Sequence, residues 1–169
     1  QDLKALPNLL EKTLLHDNDI QAISSTFNEA KGSMFLGRGF SYPIALEGAL
    51  KLKEISYIHA EGYSGSSLKH GPFGLLEPGF PVILLAPNDE TYSKMQNVYQ
   101  EVLARHATVI FITDDHECDY ENSVVLPSNK YFNYLLSVIP LQLLAYYIAI
   151  EKGYNPDFPR NLAKVVTVE

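Results

Sequence analysis

Residues 81–113 read Pro81-Val-Ile-Leu-Leu-Ala-Pro-Asn-Asp-Glu-Thr-Tyr-Ser-Lys-Met-Gln-Asn-Val-Tyr-Gln-Glu-Val-Leu-Ala-Arg-His-Ala-Thr-Val-Ile-Phe-Ile-Thr113. Two fully apolar runs, at 81–86 and 108–113, flank an amphipathic segment at 90–105. Short apolar runs without alternation are typical of strands that are buried on both faces, as in parallel sheets. The stretch therefore predicts a strand–helix–strand unit of a parallel sheet.

The same alternation of strands and helices extends over most of the chain. The predicted strands are residues 33–36, 57–62, 81–86, 108–113 and 123–126. The predicted helices are residues 8–31, broken near Asp17-Asn18-Asp19, residues 41–57 with Ser41 as N-cap, residues 90–105 and residues 132–151. This order predicts one α/β domain, a three-layer α/β/α sandwich with a mainly parallel sheet.

Size, charge and cysteine content limit the class of protein. A chain of 169 residues suits one well-buried domain. The net charge of −7 and the lack of a basic run argue against binding to nucleic acid or to anionic membranes. Cys118 is the only cysteine, which excludes intrachain disulfides and cysteine-rich zinc sites.

The first residues of the chain and one apolar segment indicate where in the cell the protein is expected. The first residues lack the pattern of a secretory signal, so a cytoplasmic location is the default expectation. The chain begins with Gln1 rather than Met, which suggests a piece of a longer protein. Residues 132–150 are mostly apolar, but Asn133, Ser137, Pro140 and Gln142 interrupt them, so we expect a buried core or interface helix rather than a membrane span.

A narrow charged stripe marks the helix predicted at 41–57. At about 100° per residue, Glu47, Lys51 and Glu54 fall within roughly 60° of one another, and apolar residues cover most of the remaining surface. Buried charges are costly unless they pair, so the stripe is either one wall of a pocket or a favourable salt-bridge ladder. On this segment alone the ladder is the favoured interpretation.

Three further motifs carry candidate chemistry. Gly37-Arg-Gly39 lies between a strand and a helix, where doubly wound folds bind phosphates, but its glycine fingerprint is incomplete and a tight turn is favoured. His70, beside Gly71-Pro72, is placed for acid–base chemistry, although a structural or solvated histidine is the simpler interpretation. Residues 114–119 contain several potential metal ligands, and a charged connecting loop is favoured over a metal site.

Lys164 lies in a tail segment that becomes apolar after it. Such surroundings can lower the pKa of a lysine and allow it to form an imine with a carbonyl substrate. An ordinary surface lysine is the alternative.

Five segments together resemble the glucosamine-6-phosphate synthase family, the glutamine:fructose-6-phosphate amidotransferases. They are Gly37-Arg-Gly39, residues 43–61, Leu68-Lys-His-Gly-Pro72, residues 140–146 and Pro159-Arg-Asn-Leu-Ala-Lys164. The resemblance implies a flavodoxin-like sugar-isomerase (SIS) lobe at residues 1–154, with residues 1–31 as leading helices and residues 155–169 as an active-site tail. Ser66-Ser67 stand where the family usually has Gly-Glu.

The resemblance assigns catalytic roles to matching residues. Glu54 corresponds to the base that moves a proton between C1 and C2 of the sugar. Lys164 corresponds to the lysine that forms an imine with open-chain fructose 6-phosphate. His70 corresponds to the histidine linked to ring opening, which reaches the active site of the neighbouring subunit. Lys51 and Glu47 match charged residues that support proton transfer beside the base.

The resemblance also implies a substrate site and partners. Leu162 and Ala163 match residues that line the sugar site and the ammonia path. The implied parent protein makes glucosamine 6-phosphate from fructose 6-phosphate and glutamine as a homodimer, without a cofactor. Its glutaminase domain and first SIS lobe, which grips the phosphate, are not in this chain, so we expect the chain to be inactive alone. The alternatives are a non-catalytic sugar-phosphate-binding module of a regulator and a deglycase or isomerase of another amino sugar phosphate.

Overall fold

The computed structural model describes residues 1–162. Five strands form one parallel sheet in the order β2-β1-β3-β4-β5. The strands are β1 (Gly32–Gly37), β2 (His59–Ser64), β3 (Pro81–Leu85), β4 (Thr108–Thr113) and β5 (Ser123–Val125). This is the strand order of flavodoxin-like folds. The predicted α/β class and parallel sheet are confirmed. Strand β2 lies two residues later than the predicted 57–62, because Tyr57 adopts a left-handed conformation at the end of the preceding helix.

Within residues 1–162, six α-helices flank the sheet. They are α1 (Asp2–Leu14), α2 (Asp17–Ser24), α3 (Ser41–Ser56), α4 (Tyr92–Leu103), α5 (Asn133–Leu136) and α6 (Val138–Glu151). Short 3₁₀ turns occur at Ser25–Phe27, Leu68–His70 and Pro72–Leu75. Helices α2, α3 and α6 pack on one face of the sheet, and α4 packs on the other.

The position of β3 in the centre of the sheet explains why its sequence is apolar throughout. Ile83 and Leu85 belong to the core beneath α3 and α6. Val82 and Leu84 belong to the core beneath α4. Because successive side chains of a strand point to opposite faces, a strand covered on both faces needs apolar residues at every position.

Three details of the helix prediction are wrong. The leading helices begin at Asp2 rather than at residue 8 and end at Ser24 rather than at residue 31. Ser41 is not the N-cap of α3: Phe40 holds that position, and no side chain caps the helix. The backbone of the preceding turn serves instead, since the Ser41 amide donates to the Arg38 carbonyl at 3.0 Å. The predicted helix at 132–151 is divided at Ser137. Pro140 lacks an N–H for the Leu136 carbonyl, which accounts for a break just before it.

The apolar segment Asn133–Glu151 is long and apolar enough to cross a membrane by length and composition. In this fold, α6 buries one side against α3, with Leu141, Leu144 and Ile148 in the core. A Cβ on Gly48 of α3 would lie 2.7 Å from Leu141 Cδ1, so the glycine permits this close helix packing. The side of α6 that faces α3 therefore packs in the core, which agrees with the predicted core or interface helix.

Candidate functional site

The charged stripe lies on the side of α3 that faces away from the sheet. The opposite side of the helix is buried in the core through Ala45, Ala49 and Leu52. The side chains of Glu47, Lys51 and Glu54 remain 44%, 32% and 27% exposed. The stripe therefore lies on an open face of this chain, and a closed pocket over it would need a second surface.

Lys51 is the centre of the stripe. Its Nζ lies 2.6 Å from Glu54 Oε2 and 3.6 Å from Glu47 Oε1. The shorter contact is a charge-assisted hydrogen bond, and the longer one is an ion pair at the favourable i,i+4 spacing. The predicted salt-bridge ladder is confirmed, and it holds the amine closer to Glu54 than to Glu47.

The hydrogen bond to Glu54 raises the pKa of Lys51 above its ordinary value. Burial opposes this change, while the charges of Glu54 and Glu47 add to it. A raised pKa means that folding favours the protonated amine. The resulting stabilisation is fully present below the unfolded-state pKa of about 10.4 and is lost as the pH rises through the higher folded-state pKa.

Glu54→Gln is expected to lower the pKa of Lys51 more than Glu47→Gln does. The reason is that the hydrogen bond to Glu54 is the largest cause of the raised pKa, whereas Glu47 contributes a longer, weaker contact. An NMR titration that follows the Lys51 side chain in both variants measures the difference. An equal decrease in the two variants would show that the two carboxylates hold the amine equally.

The tail is attached to the C-terminal end of α3 through Tyr57. Tyr57 follows α3 in the left-handed conformation, with φ of 61°. The backbone N–H of Arg160 donates a hydrogen bond to the Tyr57 hydroxyl at 2.9 Å. The Arg160 guanidinium carbon lies 3.9 Å from the centre of the Tyr57 ring, and Tyr154 packs edge-on against the same ring. This contact holds the tail at a point three residues beyond Glu54.

No pattern in the sequence predicts the Tyr57–Arg160 contact. The two residues lie 103 positions apart, and neither belongs to a periodic pattern that pairs it with the other. The aromatic residue at a helix end was the one available signal, because arginine often stacks on aromatic faces.

Of the remaining predicted site residues, the structure describes His70 and Leu162, and no hydrogen bond or ion pair joins either of them to the stripe. Leu162 is 52% exposed at the end of the described chain. Ala163 and Lys164 lie outside the described residues. His70 ends the 3₁₀ turn after β2 and is exposed. No hydrogen bond or ion pair within residues 1–162 links its ring to the stripe.

Gly37-Arg-Gly39 forms the tight turn that its sequence favours. A Cβ on Gly37 would lie 2.3 Å from the Ser41 carbonyl oxygen, so only glycine allows α3 to start this close to β1. Gly39 has φ of +54°, which glycine adopts without strain.

The acidic loop after β4 uses its carboxylates to hold neighbouring segments. Asp114 Oδ1 accepts a hydrogen bond from the Asn88 backbone N–H at 2.6 Å. Asp115 Oδ2 accepts one from the Tyr92 hydroxyl at 2.6 Å. This hydrogen bond lowers the pKa of Asp115, whereas burial and the same bond raise the pKa of Tyr92. These contacts agree with the connecting-loop interpretation, and the described residues include no grouping of three potential metal ligands.

Comparison with known sequences identifies one family. Residues 26–152 match the SIS domain. A glutamine–fructose-6-phosphate aminotransferase (isomerizing) of Bartonella henselae is 46% identical over 175 residues, covering 100% of this chain and 29% of the relative. The chain therefore spans less than a third of the length of such curated relatives.

Two solved structures extend the comparison. The C-terminal domain of glucosamine-fructose-6-phosphate aminotransferase from Francisella tularensis matches with a TM-score of 0.86 and 42% identity, covering 90% of this chain and 44% of that chain. Glucosamine-6-phosphate deaminase from Thermotoga maritima matches with a TM-score of 0.75 and 25% identity. The match covers 94% of this chain and 48% of that chain.

Proposed function

Since the chain belongs to the SIS domain family, we propose that it is the C-terminal isomerase lobe of a glutamine–fructose-6-phosphate aminotransferase. The parent protein would convert fructose 6-phosphate and glutamine to glucosamine 6-phosphate and glutamate. The observation that carries this proposal is the Lys51–Glu54 pair on α3, in a chain 46% identical over its whole length to such an aminotransferase.

We assign the base of the isomerisation to Glu54. Ammonia from glutamine first replaces the Lys164 amine at C2 of the open-chain ketose, which frees the lysine and leaves an imine of ammonia. Glu54 then removes a proton from C1 and delivers it to C2, while the C1 hydroxyl loses its proton and becomes the aldehyde of the amino aldose. A general base must be held in one geometry to act efficiently. The 2.6 Å hydrogen bond from Lys51 supports this role because it fixes the carboxylate. Glu47, 3.6 Å from the same amine, helps to keep Lys51 in place.

We assign imine formation to Lys164, with Leu162 and Ala163 lining the sugar site. Lys164 follows the Arg160 anchor by four residues, and four residues of chain span at most about 14 Å. The Tyr57–Arg160 contact thus limits how far the Lys164 backbone can lie from the end of α3. This limit supports a shared site for Lys164 and Glu54.

Ring opening is assigned to His70, acting in the active site of a neighbouring subunit of a homodimer. Its exposed position on the 3₁₀ turn supports a role outside its own lobe. The partners of this chain would be the first SIS lobe, which grips the sugar phosphate, and the glutaminase domain. The open face around the stripe supports the need for a covering surface. We expect this assembly to act in the cytoplasm.

The parent protein is expected to form glucosamine 6-phosphate from fructose 6-phosphate and glutamine, whereas the 169-residue chain alone forms none. A chromatographic assay of the sugar product, with both proteins at equal molar concentration, measures this. Synthesis or robust fructose 6-phosphate isomerisation by the chain alone would contradict its dependence on other domains. No product from the parent protein would overturn the proposed reaction.

A deaminase of amino sugar phosphates is the second candidate, because one solved structure with this name matches 94% of the chain at 25% identity. A deaminase releases ammonia from glucosamine 6-phosphate without using glutamine. Release of ammonia by the parent protein, together with no glutamine-dependent synthesis, would favour this candidate.

A further inference from the structure

A basic pocket lies at the carboxyl ends of β1 and β2, beside α4. The cavity measures about 260 Å³. The turn after β1, the segment after β2 and α4 line it, chiefly with Arg38, Ser66, Lys69, Lys94, Asn97 and Glu101. Since α4 covers the face of the sheet opposite α3, this pocket is separate from the stripe of Glu47, Lys51 and Glu54.

The pocket carries an excess of positive charge in an acidic protein. It has three cationic side chains and one carboxylate, while the whole chain has a net charge of −7. Lys69 Nζ lies 2.7 Å from Glu101 Oε1, so these two charges neutralise each other. Among the described residues, Arg38 and Lys94 are in no ion pair. The pocket therefore presents two positive charges that an anion can neutralise.

Arg38 packs closely against the segment after β2, although one nitrogen of its guanidinium has no hydrogen-bond partner among residues 1–162. Its Nε is buried and makes no hydrogen bond within the described chain. A Cβ on Gly65 would lie 3.4 Å from this Nε and 3.0 Å from Met95 Sδ, so the glycine allows the segment after β2 to pack closely on both. The Gly65 N–H donates to the Gly37 carbonyl at 3.0 Å, which ties the two strand ends together. The buried Nε therefore lies on the protein side of the guanidinium, and Arg38 lines the pocket through the rest of its side chain.

The position of the pocket favours a small ligand. In open α/β sheets, ligands bind in crevices outside the carboxyl ends of the strands. Ser66 adds a neutral hydroxyl, which shares a 2.8 Å hydrogen bond with the Ser64 hydroxyl. A water molecule takes up about 30 Å³ of liquid, so the cavity has room for a phosphate group and for part of the molecule that carries it.

We propose that this pocket binds a phosphomonoester group, with Arg38 and Lys94 as charge partners and Ser66 as a hydroxyl donor. The planar guanidinium fork matches two phosphate oxygens, and the lysine adds a point charge. The ligand is inorganic phosphate or a small phosphorylated metabolite. This binding does not depend on the proposed isomerase function, because it uses no residue of the stripe or the tail.

NMR titration of the 169-residue chain with sodium phosphate tests the site, with sodium chloride at matched ionic strength as the reference. We expect saturable shifts of the Gly65 and Ser66 amides. Arg38→Met and Lys94→Met should each weaken binding about tenfold, the factor that corresponds to one charge-assisted hydrogen bond. Lys4→Met, which removes an exposed cation from α1, is the matched control and should leave the affinity unchanged.

Lys94 is exposed, so its variant should fold even if Arg38→Met does not. Equal shifts with chloride, or equal weakening by Lys4→Met and Lys94→Met, would overturn the proposal. A parallel titration with glucose 6-phosphate distinguishes the two ligand sources: tighter binding than phosphate points to recognition of the attached sugar, and equal binding points to the phosphate alone. Either result supports the site, and failure of both ligands to saturate rejects it.

Discussion

Glu54→Gln in the parent protein is expected to reduce the rate of glucosamine 6-phosphate formation by about 10²–10⁴-fold, the usual contribution of a general base. Glutamine keeps the size of the side chain but cannot accept a proton from C1. The lost proton transfer should lower kcat far more than it changes KM, because substrate binding relies on other groups. Steady-state assays of product formation with saturating glutamine measure the change.

Two comparisons separate this catalytic effect from damage to the fold. Glu117→Gln makes the same chemical change on the exposed loop after β4 and should leave the rate unchanged. Glutamine hydrolysis, which we assign to another domain of the proposed parent protein, should continue in Glu54→Gln. A variant that retained at least a third of the wild-type rate would exclude Glu54 as the base and would leave its pair with Lys51 as a structural salt bridge.

The sheet could be predicted from the sequence because local pattern and burial agree in its strands. Strand β4 covers residues 108–113, as predicted, and β3 ends one residue before the predicted 86. Both strands are buried on both faces, so each position is apolar and the strand ends are marked by polar residues or proline.

Helix ends were harder to predict, because backbone contacts decide them. Ser41 has the side chain of a good N-cap, yet the tight turn at Gly37-Arg-Gly39 already provides carbonyl acceptors for the first amides of α3. At Ser137, the mostly apolar pattern favoured one helix, although Pro140 was a signal for the break.

The candidate site was predictable only where it lies on one element. Glu47, Lys51 and Glu54 share a helix face, so helical geometry alone brings them together. Tyr57 and Arg160 meet through tertiary packing between distant segments, which no spacing in the sequence reports. The basic pocket also joins three separate segments, and only the turn at Gly37-Arg-Gly39 marked it in the sequence.

Among the substitutions proposed for this chain, Phe111→Ala is expected to have the largest effect on stability. It should lower the free energy of unfolding by about 3–5 kcal/mol. Phe111 lies in β4, between β3 and β5, and its side chain is fully buried. The rings of Tyr92, Tyr99 and Tyr120 pack edge-on around it, at centroid distances of 6.2, 5.6 and 5.0 Å. Because Tyr92 is also hydrogen-bonded to Asp115, its ring cannot easily move in to fill the space.

Urea denaturation of the 169-residue chain measures the loss, with Phe158→Ala as the matched control. Phe158 is 81% exposed, so its removal should change the free energy of unfolding by no more than about 0.5 kcal/mol. A loss of about 3–5 kcal/mol is a large share of the about 5–15 kcal/mol that stabilises most proteins, so Phe111→Ala should be partly unfolded at moderate temperature. A loss below about 1 kcal/mol would mean that the tyrosine rings do collapse into the cavity. The rigid aromatic packing under α4 would then be disproved.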